Sequence, residues 1–161
     1  MKSIVIYASH FGNTKRVAEA IADGLRQHGD VQLLSVDEAP ATFPAGTDLV
    51  VMGGPTEAFR MTPPMAQYLD WLETGALHGM AAAAFDTRLK MPRWLFGSAA
   101  VGIQRRLREA GAHLIVPEVS FFVVGKDPVL MPGELECATA WGEALGARVE
   151  SKTPSLAEAV R

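Results

Sequence analysis

The sequence predicts an α/β domain: a doubly wound, five-stranded parallel sheet in the order 2-1-3-4-5, with helices on both faces. Apolar, strand-like runs alternate with helical patterns along the chain, and parallel neighbours need such crossover connections. The first run lacks polar alternation, as in a strand buried on both faces. The chain has 161 residues, 48% of them hydrophobic, which suits a single domain with its own core.

The first strand is predicted over residues 4–8, a continuous apolar run. Apolar residues then recur at helical spacing from Val17 to Leu25, and Gly29 ends that helix. The segment between them, residues 9–14, is therefore a loop that leads from the end of a buried strand into the start of a helix.

The second strand is predicted over residues 31–36 and the third over 48–53. A second loop, residues 54–59, follows the third strand. The next helix is expected to begin at Pro63, with Thr62 as its N-cap.

The fourth strand is predicted over residues 80–85, ending in a loop that starts with Asp86, Thr87 and Arg88. A helix follows over about 97–110. The fifth strand consists of residues 113–116 and 120–124, interrupted at Pro117.

A third loop is predicted at residues 125–128, and the final helix at about 133–148. The domain is expected to occupy residues 1–150, with residues 151–161 as a C-terminal tail. In doubly wound sheets, ligands bind outside the carboxyl ends of the strands, at the switch point between the first and third strands. The loops at that edge are 9–14, 54–59, 86–98 and 125–132.

Composition excludes several classes of function. A net charge of −3 and a pI near 5.8 argue against nucleic-acid binding, which needs clustered basic residues. Cys137 is the single cysteine, so no internal disulfide or multi-thiolate metal site is possible; we expect it in the core. The histidines show no metal-ligand spacing. Because no run reaches the roughly 18 apolar residues of a membrane span, we expect a cytoplasmic, soluble protein.

Loop 9–14 has the chemistry of an anion site. Backbone N–H groups and the positive end of the helix dipole converge there. Ser9 and Thr14 add hydroxyl donors and Asn13 an amide, while Gly12 lets the backbone approach an anion closely. Since the loop contains no lysine, a phosphate would be bound by neutral donors. The alternative is an ordinary helix cap.

Residues 7–18, Tyr-Ala-Ser-His-Phe-Gly-Asn-Thr-Lys-Arg-Val-Ala, resemble the flavodoxin signature, and Gly53-Gly54-Pro55-Thr56 resembles the second flavin loop of that family. The resemblance implies a flavodoxin-like fold, FMN as cofactor, and a role in electron transport without catalytic residues. It implies that the phosphate lies against Ser9, His10, Phe11, Gly12, Asn13 and Thr14. The flavin ring would lie against Pro55, Thr56, Glu57, Ala58, Phe59, Asp86, Thr87, Arg88 and Trp94.

The chain departs from the family pattern in its aromatic residues. Phe11 stands where many flavodoxins have a hydroxyl residue, which removes one donor. The aromatic pair that sandwiches the flavin in the family is not clearly matched, and Phe59 and Trp94 are the candidates. Ordinary packing is the alternative interpretation of both rings.

A cation near the flavin is a second departure. Arg88 would stabilise the anionic reduced flavin, unless it is a solvated residue paired with Asp86. Between Thr87 and Arg108 the chain carries six basic residues and no acid, which predicts a local basic face. The six are Arg88, Lys90, Arg93, Arg105, Arg106 and Arg108.

Three functions remain open at this stage. The first is an electron carrier between redox partner proteins. The second is a small FMN-dependent oxidoreductase of the NAD(P)H:quinone or protoporphyrinogen type, acting on a quinone-like small molecule. The third is a flavin-free interaction module, since fold alone does not determine function.

Overall fold

The computed structural model describes residues 1–152. The strands are β1 Lys2–Tyr7, β2 Asp30–Ser35, β3 Leu49–Glu57, β4 Arg60–Met61, β5 Ala81–Leu89, β6 His113–Leu114, β7 Val119–Val124 and β8 Val129–Leu130. The helices are α1 Asn13–Leu25, α2 Pro63–Trp71, α3 Arg93–Phe96, α4 Ala99–Glu109 and α5 Glu134–Lys152. None of these helices is long and apolar enough to cross a membrane.

The sheet confirms the predicted order. Its parallel strands run β2-β1-β3-β5-β7, which is the 2-1-3-4-5 arrangement. Short additions raise the total to eight strands: β4 pairs antiparallel with β3, β8 pairs antiparallel with β7, and β6 lies beside β5. The expected interruption of the fifth strand is the gap between β6 and β7.

Helices cover both faces of the sheet. On one face, α1 and α5 pack over a core that includes Val5, Val51 and Phe85. On the other face, α2 and α4 bury residues such as Ile6 and Met52. The inner strands therefore have apolar side chains on both sides, as their continuous apolar runs indicate.

The boundaries of the two central strands differ from the prediction. β3 continues through residues 54–57, and β5 continues through Asp86, Thr87 and Arg88, which were expected to form loops. The reason is pairing on both sides of β5: Pro55 of β3 lies opposite Thr87, and Phe122 of β7 lies opposite Arg88.

The two C-terminal helices also differ in extent. The predicted helix 97–110 begins at Ala99, and the short helix α3 precedes it. α5 extends to Lys152, past the expected end at 148. Of the expected tail, residues 153–161 lie outside the described part of the chain.

Helices α1 and α5 approach closely because a glycine of each helix faces the backbone of the other. A Cβ on Gly24 would collide with the carbonyl oxygen of Thr139, and a Cβ on Gly142 with that of Ile21. Cys137 lies on this helix pair but is exposed, so its expected place in the core is wrong. The neighbouring Ala138, fully buried, packs against the sheet instead.

The close approach predicts different effects for two glycine substitutions in α5. Gly142→Ala is expected to destabilise the fold by about 2 kcal/mol, because backbone of α1 blocks the new methyl group. Gly146→Ala should cost less than Gly142→Ala, since its obstacle is the His28 side chain, from Cβ outward, and not backbone, and alanine favours the helix. Urea unfolding measures both, and equal losses would contradict the backbone-contact explanation.

Candidate functional site

Loop 9–14 leaves backbone donors free at the start of α1. Gly12 occupies the N-cap with φ 86°, a left-handed conformation that glycine adopts without strain. Ser9 Oγ accepts from the backbone N–H groups of Gly12 at 3.1 Å and Lys15 at 3.4 Å, so its own proton remains available to a ligand. In the described chain, the N–H groups of Asn13 and Thr14 have no protein acceptor, as expected in the first turn of a helix.

Two side chains of this loop instead connect it to neighbouring elements. Thr14 Oγ1 lies 2.6 Å from Thr87 Oγ1, a buried hydrogen bond that joins α1 to β5. Asn13 Nδ2 donates to the carbonyl of Pro128 at 2.7 Å and so joins the loop to the third loop. The two side chains are therefore engaged by neighbouring elements, while the backbone N–H groups of the same residues stay open to a ligand.

A buried carboxylate holds the second loop in place. Asp86 is fully buried, and its Oδ2 accepts from Thr56 Oγ1 at 3.0 Å, Ser98 Oγ at 2.5 Å and the Ala100 N–H at 3.1 Å. Thr56 Oγ1 in turn accepts the N–H of Ala99 at 2.8 Å. Asp86 therefore acts on the site through Thr56, because no part of its own side chain is exposed.

The second loop ends in a strained two-residue turn. Ala58 and Phe59 have φ angles of 44° and 74°, in the left-handed region that favours glycine or asparagine. The turn joins β3 to β4, and Gly97 packs against the carbonyl group of Phe59. The Phe59 ring is 63% exposed and lies 6.5 Å from the ring of Phe96. Packing from the segment before α4 thus supports a turn that is costly on its own.

A central cleft of about 230 Å³ opens between these loops. It brings together most of the residues expected at the site: His10, Phe11, Asn13, Thr14, Pro55, Thr56, Glu57, Thr87 and Arg88. Ala58 and Phe59 line an adjoining turn-side cleft of about 190 Å³, which shares Thr56 and Arg88 with the central one. Ser9 and Gly12 border a third opening, the β2-side cleft.

Trp94 is not brought to these clefts. It lies on α3, 86% exposed, and lines none of the three. Sequence reasoning assigned no role to several residues that line the central cleft: Leu89, Val123, Gly125, Lys126 and Pro128. The last three belong to the third loop, which the sequence did place at this edge; Leu89 was missed because β5 extends further than expected.

Arg88 is a fixed cation in the wall shared by the central and turn-side clefts. Its Nε donates to Ser120 Oγ at 2.9 Å and its Nη1 to the carbonyl of Met91 at 2.6 Å. The guanidinium lies 5.2 Å from the ring centre of Phe122, and Asp86 Oδ1 lies 4.0 Å from Nε. Burial lowers the pKa of Arg88 and Asp86 opposes that shift. The side chain is 10% exposed, so the solvated alternative is wrong.

The expected basic face is largely neutralised. Arg93 pairs with Glu118 at 2.7 Å, Arg105 lies 3.7 Å from Glu109, and Arg106 pairs with Asp70 as well as with Glu109. All of these carboxylates lie outside residues 87–108. The sequence segment is basic, but the surface that it forms is not strongly so.

His10 and Glu57 form a bridge in the lining shared by the central cleft and the β2-side cleft. His10 Nδ1 lies 3.3 Å from Glu57 Oε1, and the His10 ring stacks on Phe11 with centres 4.5 Å apart. Phe11 itself is 66% exposed. Within residues 1–152, no group of three or more His, Cys, Asp or Glu residues could hold a metal ion.

Comparison with curated proteins identifies relatives that are named as flavodoxins or as NAD(P)H dehydrogenases (quinone). A flavodoxin of Clostridium saccharobutylicum is 28% identical over 89 residues, covering 54% of this chain and 56% of that protein. An NAD(P)H dehydrogenase (quinone) of Caulobacter vibrioides is 30% identical over 114 residues, covering 53% and 56%. The chain therefore spans about half the length of the curated relatives that it matches.

Solved structures share the whole fold. A flavodoxin from the domain Archaea matches with a TM-score of 0.73 and 26% identity, covering 93% of this chain and 99% of that one. Flavodoxin 2 from Bacillus cereus matches with a TM-score of 0.76 and 22% identity, covering 95% and 100%. The family model described as flavodoxin matches residues 5–141. Since that match extends over most of the chain, the protein belongs to the flavodoxin family, whose members are FMN-binding redox proteins.

Proposed function

We propose that this chain binds FMN in the central cleft and carries electrons between redox partner proteins. The observation that supports this most is the pair of free N–H groups at Asn13 and Thr14, beside a Ser9 hydroxyl with a free proton. These neutral donors suit a dianionic phosphate at a helix N-terminus. The flavin supplies the electron transfer, and the protein binds it, orients it and limits its contact with water.

The ring would lie between the turn at Ala58 and Phe59 and the end of β5. Thr56 and Arg88 line both the central and the turn-side cleft, so a flat ligand that extends from the phosphate loop meets them. A carrier needs no further catalytic residue. Its partners need access to one edge of the ring, and apolar side chains around the opening provide a contact area. These are Phe59, Leu89 and Met91, which are 63%, 47% and 42% exposed.

An NAD(P)H:quinone-type or protoporphyrinogen-type oxidoreductase is the second candidate. The turn-side cleft favours it, because Phe59 and Phe96 give an apolar opening to one side of Arg88 where a quinone-like acceptor fits. A flavin-free module is the third candidate, supported by the loss of a hydroxyl donor at Phe11.

Visible absorbance spectra distinguish the three candidate functions. The spectra are recorded on the purified protein, then after photoreduction, and then after addition of NADH or NADPH. A carrier should show bound flavin that is reduced in two one-electron steps and is not bleached by the nucleotide. Rapid bleaching and turnover with a quinone would establish the oxidoreductase. A colourless protein that fails to quench the fluorescence of added FMN would contradict both redox functions.

Gly97 provides a test of the second loop. Gly97→Ala would push a methyl group against the Phe59 carbonyl and displace the turn, so FMN affinity should fall about tenfold or more. Gly75→Ala is the matched control: its φ of 89° is also left-handed, but no atom lies within 4 Å of the new methyl group. Both variants should lose stability, whereas only the first should lose FMN affinity in a fluorescence titration. Equal affinities would contradict the proposed ring position.

Arg88 should raise the reduction potential of the bound flavin. Arg88→Gln removes the charge and is expected to lower the two-electron potential by at least about 30 mV, a tenfold change in relative affinity for the reduced form. Arg88→Lys keeps the charge and should retain most of the wild-type potential. A spectroelectrochemical titration measures both, and equal shifts would show that geometry matters here and charge does not.

A further inference from the structure

The β2-side cleft, at about 620 Å³, is larger than the central cleft of about 230 Å³ and borders the proposed FMN site along the phosphate loop, through Ser9, His10 and Gly12. It lies across loop 9–14 from the central cleft, between the end of β2 and the start of α2. His10 and Glu57 line both clefts, so their bridge separates two halves of one groove over the phosphate loop.

Two polar side chains of this cleft, those of Asp37 and Thr62, lack a partner within the described chain. Asp37 follows β2, is exposed and makes no ion pair or hydrogen bond. Thr62 is 6% exposed, yet its hydroxyl makes neither the expected N-cap bond nor any other. Such a buried unsatisfied hydroxyl is uncommon, and it leaves one polar group at the wall of the cleft without a partner in the described chain.

The lining of the cleft includes a group suited to each of the three parts of a nucleotide. Lys15, whose Nζ lies 4.0 Å from Glu19 Oε1, offers a cation to a phosphate and leaves the donors of loop 9–14 to FMN. Asp37 stands after the second strand, where doubly wound folds bind ribose hydroxyls with a carboxylate. Beyond it, Val36, Pro63 and Pro64 provide apolar walls for a base. Pro63 and Pro64 have no N–H, so the start of α2 suits an apolar base better than a second phosphate.

We propose that the β2-side cleft binds an adenosine 5′-phosphate moiety, with its ribose on Asp37. Two ligands contain it: a nicotinamide dinucleotide bound beside FMN, or FAD in place of FMN. A 2′-phosphate on the ribose would meet the Asp37 carboxylate, with Glu38 close by; hydrogen bonds from Ser35 lower the pKa of Glu38 and keep it ionised. The cleft therefore selects the dinucleotide without that phosphate. This inference holds for either redox function.

Calorimetric titration of the full chain with AMP tests the proposal. AMP should bind, and adenosine 2′,5′-bisphosphate should bind more weakly. Asp37→Asn should weaken AMP about tenfold or more and reduce the difference between the two nucleotides. Asp30→Asn is the control, because Asp30 begins β2 at the end of the strand far from the cleft and should leave both affinities unchanged.

Titrating the FMN-loaded and the flavin-free protein separately shows which of the two ligands supplies the adenosine 5′-phosphate moiety. Binding of AMP to FMN-loaded protein indicates a nicotinamide dinucleotide. Binding of AMP to flavin-free protein alone, together with an FAD affinity that falls in Asp37→Asn, indicates FAD. Absence of saturable AMP binding, or equal affinities in the Asp37 and Asp30 variants, would overturn the proposal. FMN binding is measured separately by fluorescence quenching, so failure here does not count against the proposed function.

Discussion

The carboxylate of Asp86 is the interaction on which the cofactor side of the sheet depends. A fully buried carboxylate persists in a folded protein when hydrogen-bond donors replace the water that it has lost. Here the donors come from β3, from Ser98 before α4 and from the first turn of α4, whose dipole also favours the negative charge. Thr56 lies just before the strained turn at Ala58 and Phe59. The position of that turn is therefore set by a residue that has no exposed surface.

The two residues that follow Asp86 organise the other parts of the site through strand alternation. Successive side chains of β5 point to opposite faces, so Asp86 and Arg88 share one face and Thr87 occupies the other. Thr87 thereby meets Thr14 of α1, while Arg88 lies opposite Phe122 in the β5–β7 pairing and packs over its ring. Three consecutive residues thus fix the second loop, the phosphate loop and the cation.

The sequence was sufficient for the architecture and for the position of loop 9–14 between β1 and α1. Continuous apolar runs identify buried parallel strands, and the polar residues and glycine between the first run and the helical pattern mark a turn. It was insufficient where polar residues are satisfied by distant ones: Asp86 and Thr87 look like loop residues until Thr56 and Thr14 are placed beside them. The prediction of a strongly basic face over residues 87–108 was wrong for the same reason. Glu118 and other carboxylates outside that segment pair with its arginines.

With FMN placed as proposed, different groups control cofactor binding and cofactor potential. The phosphate would meet neutral donors, so its affinity rests on hydrogen-bond geometry at the start of α1 and varies little with added salt. Arg88 is largely buried, so its charge acts at short range and is weakly screened. Substitutions around Arg88 can therefore change the potential while the phosphate loop keeps its affinity. The shared fold thus leaves the flavin potential open, and in this chain Arg88 is the group expected to raise it.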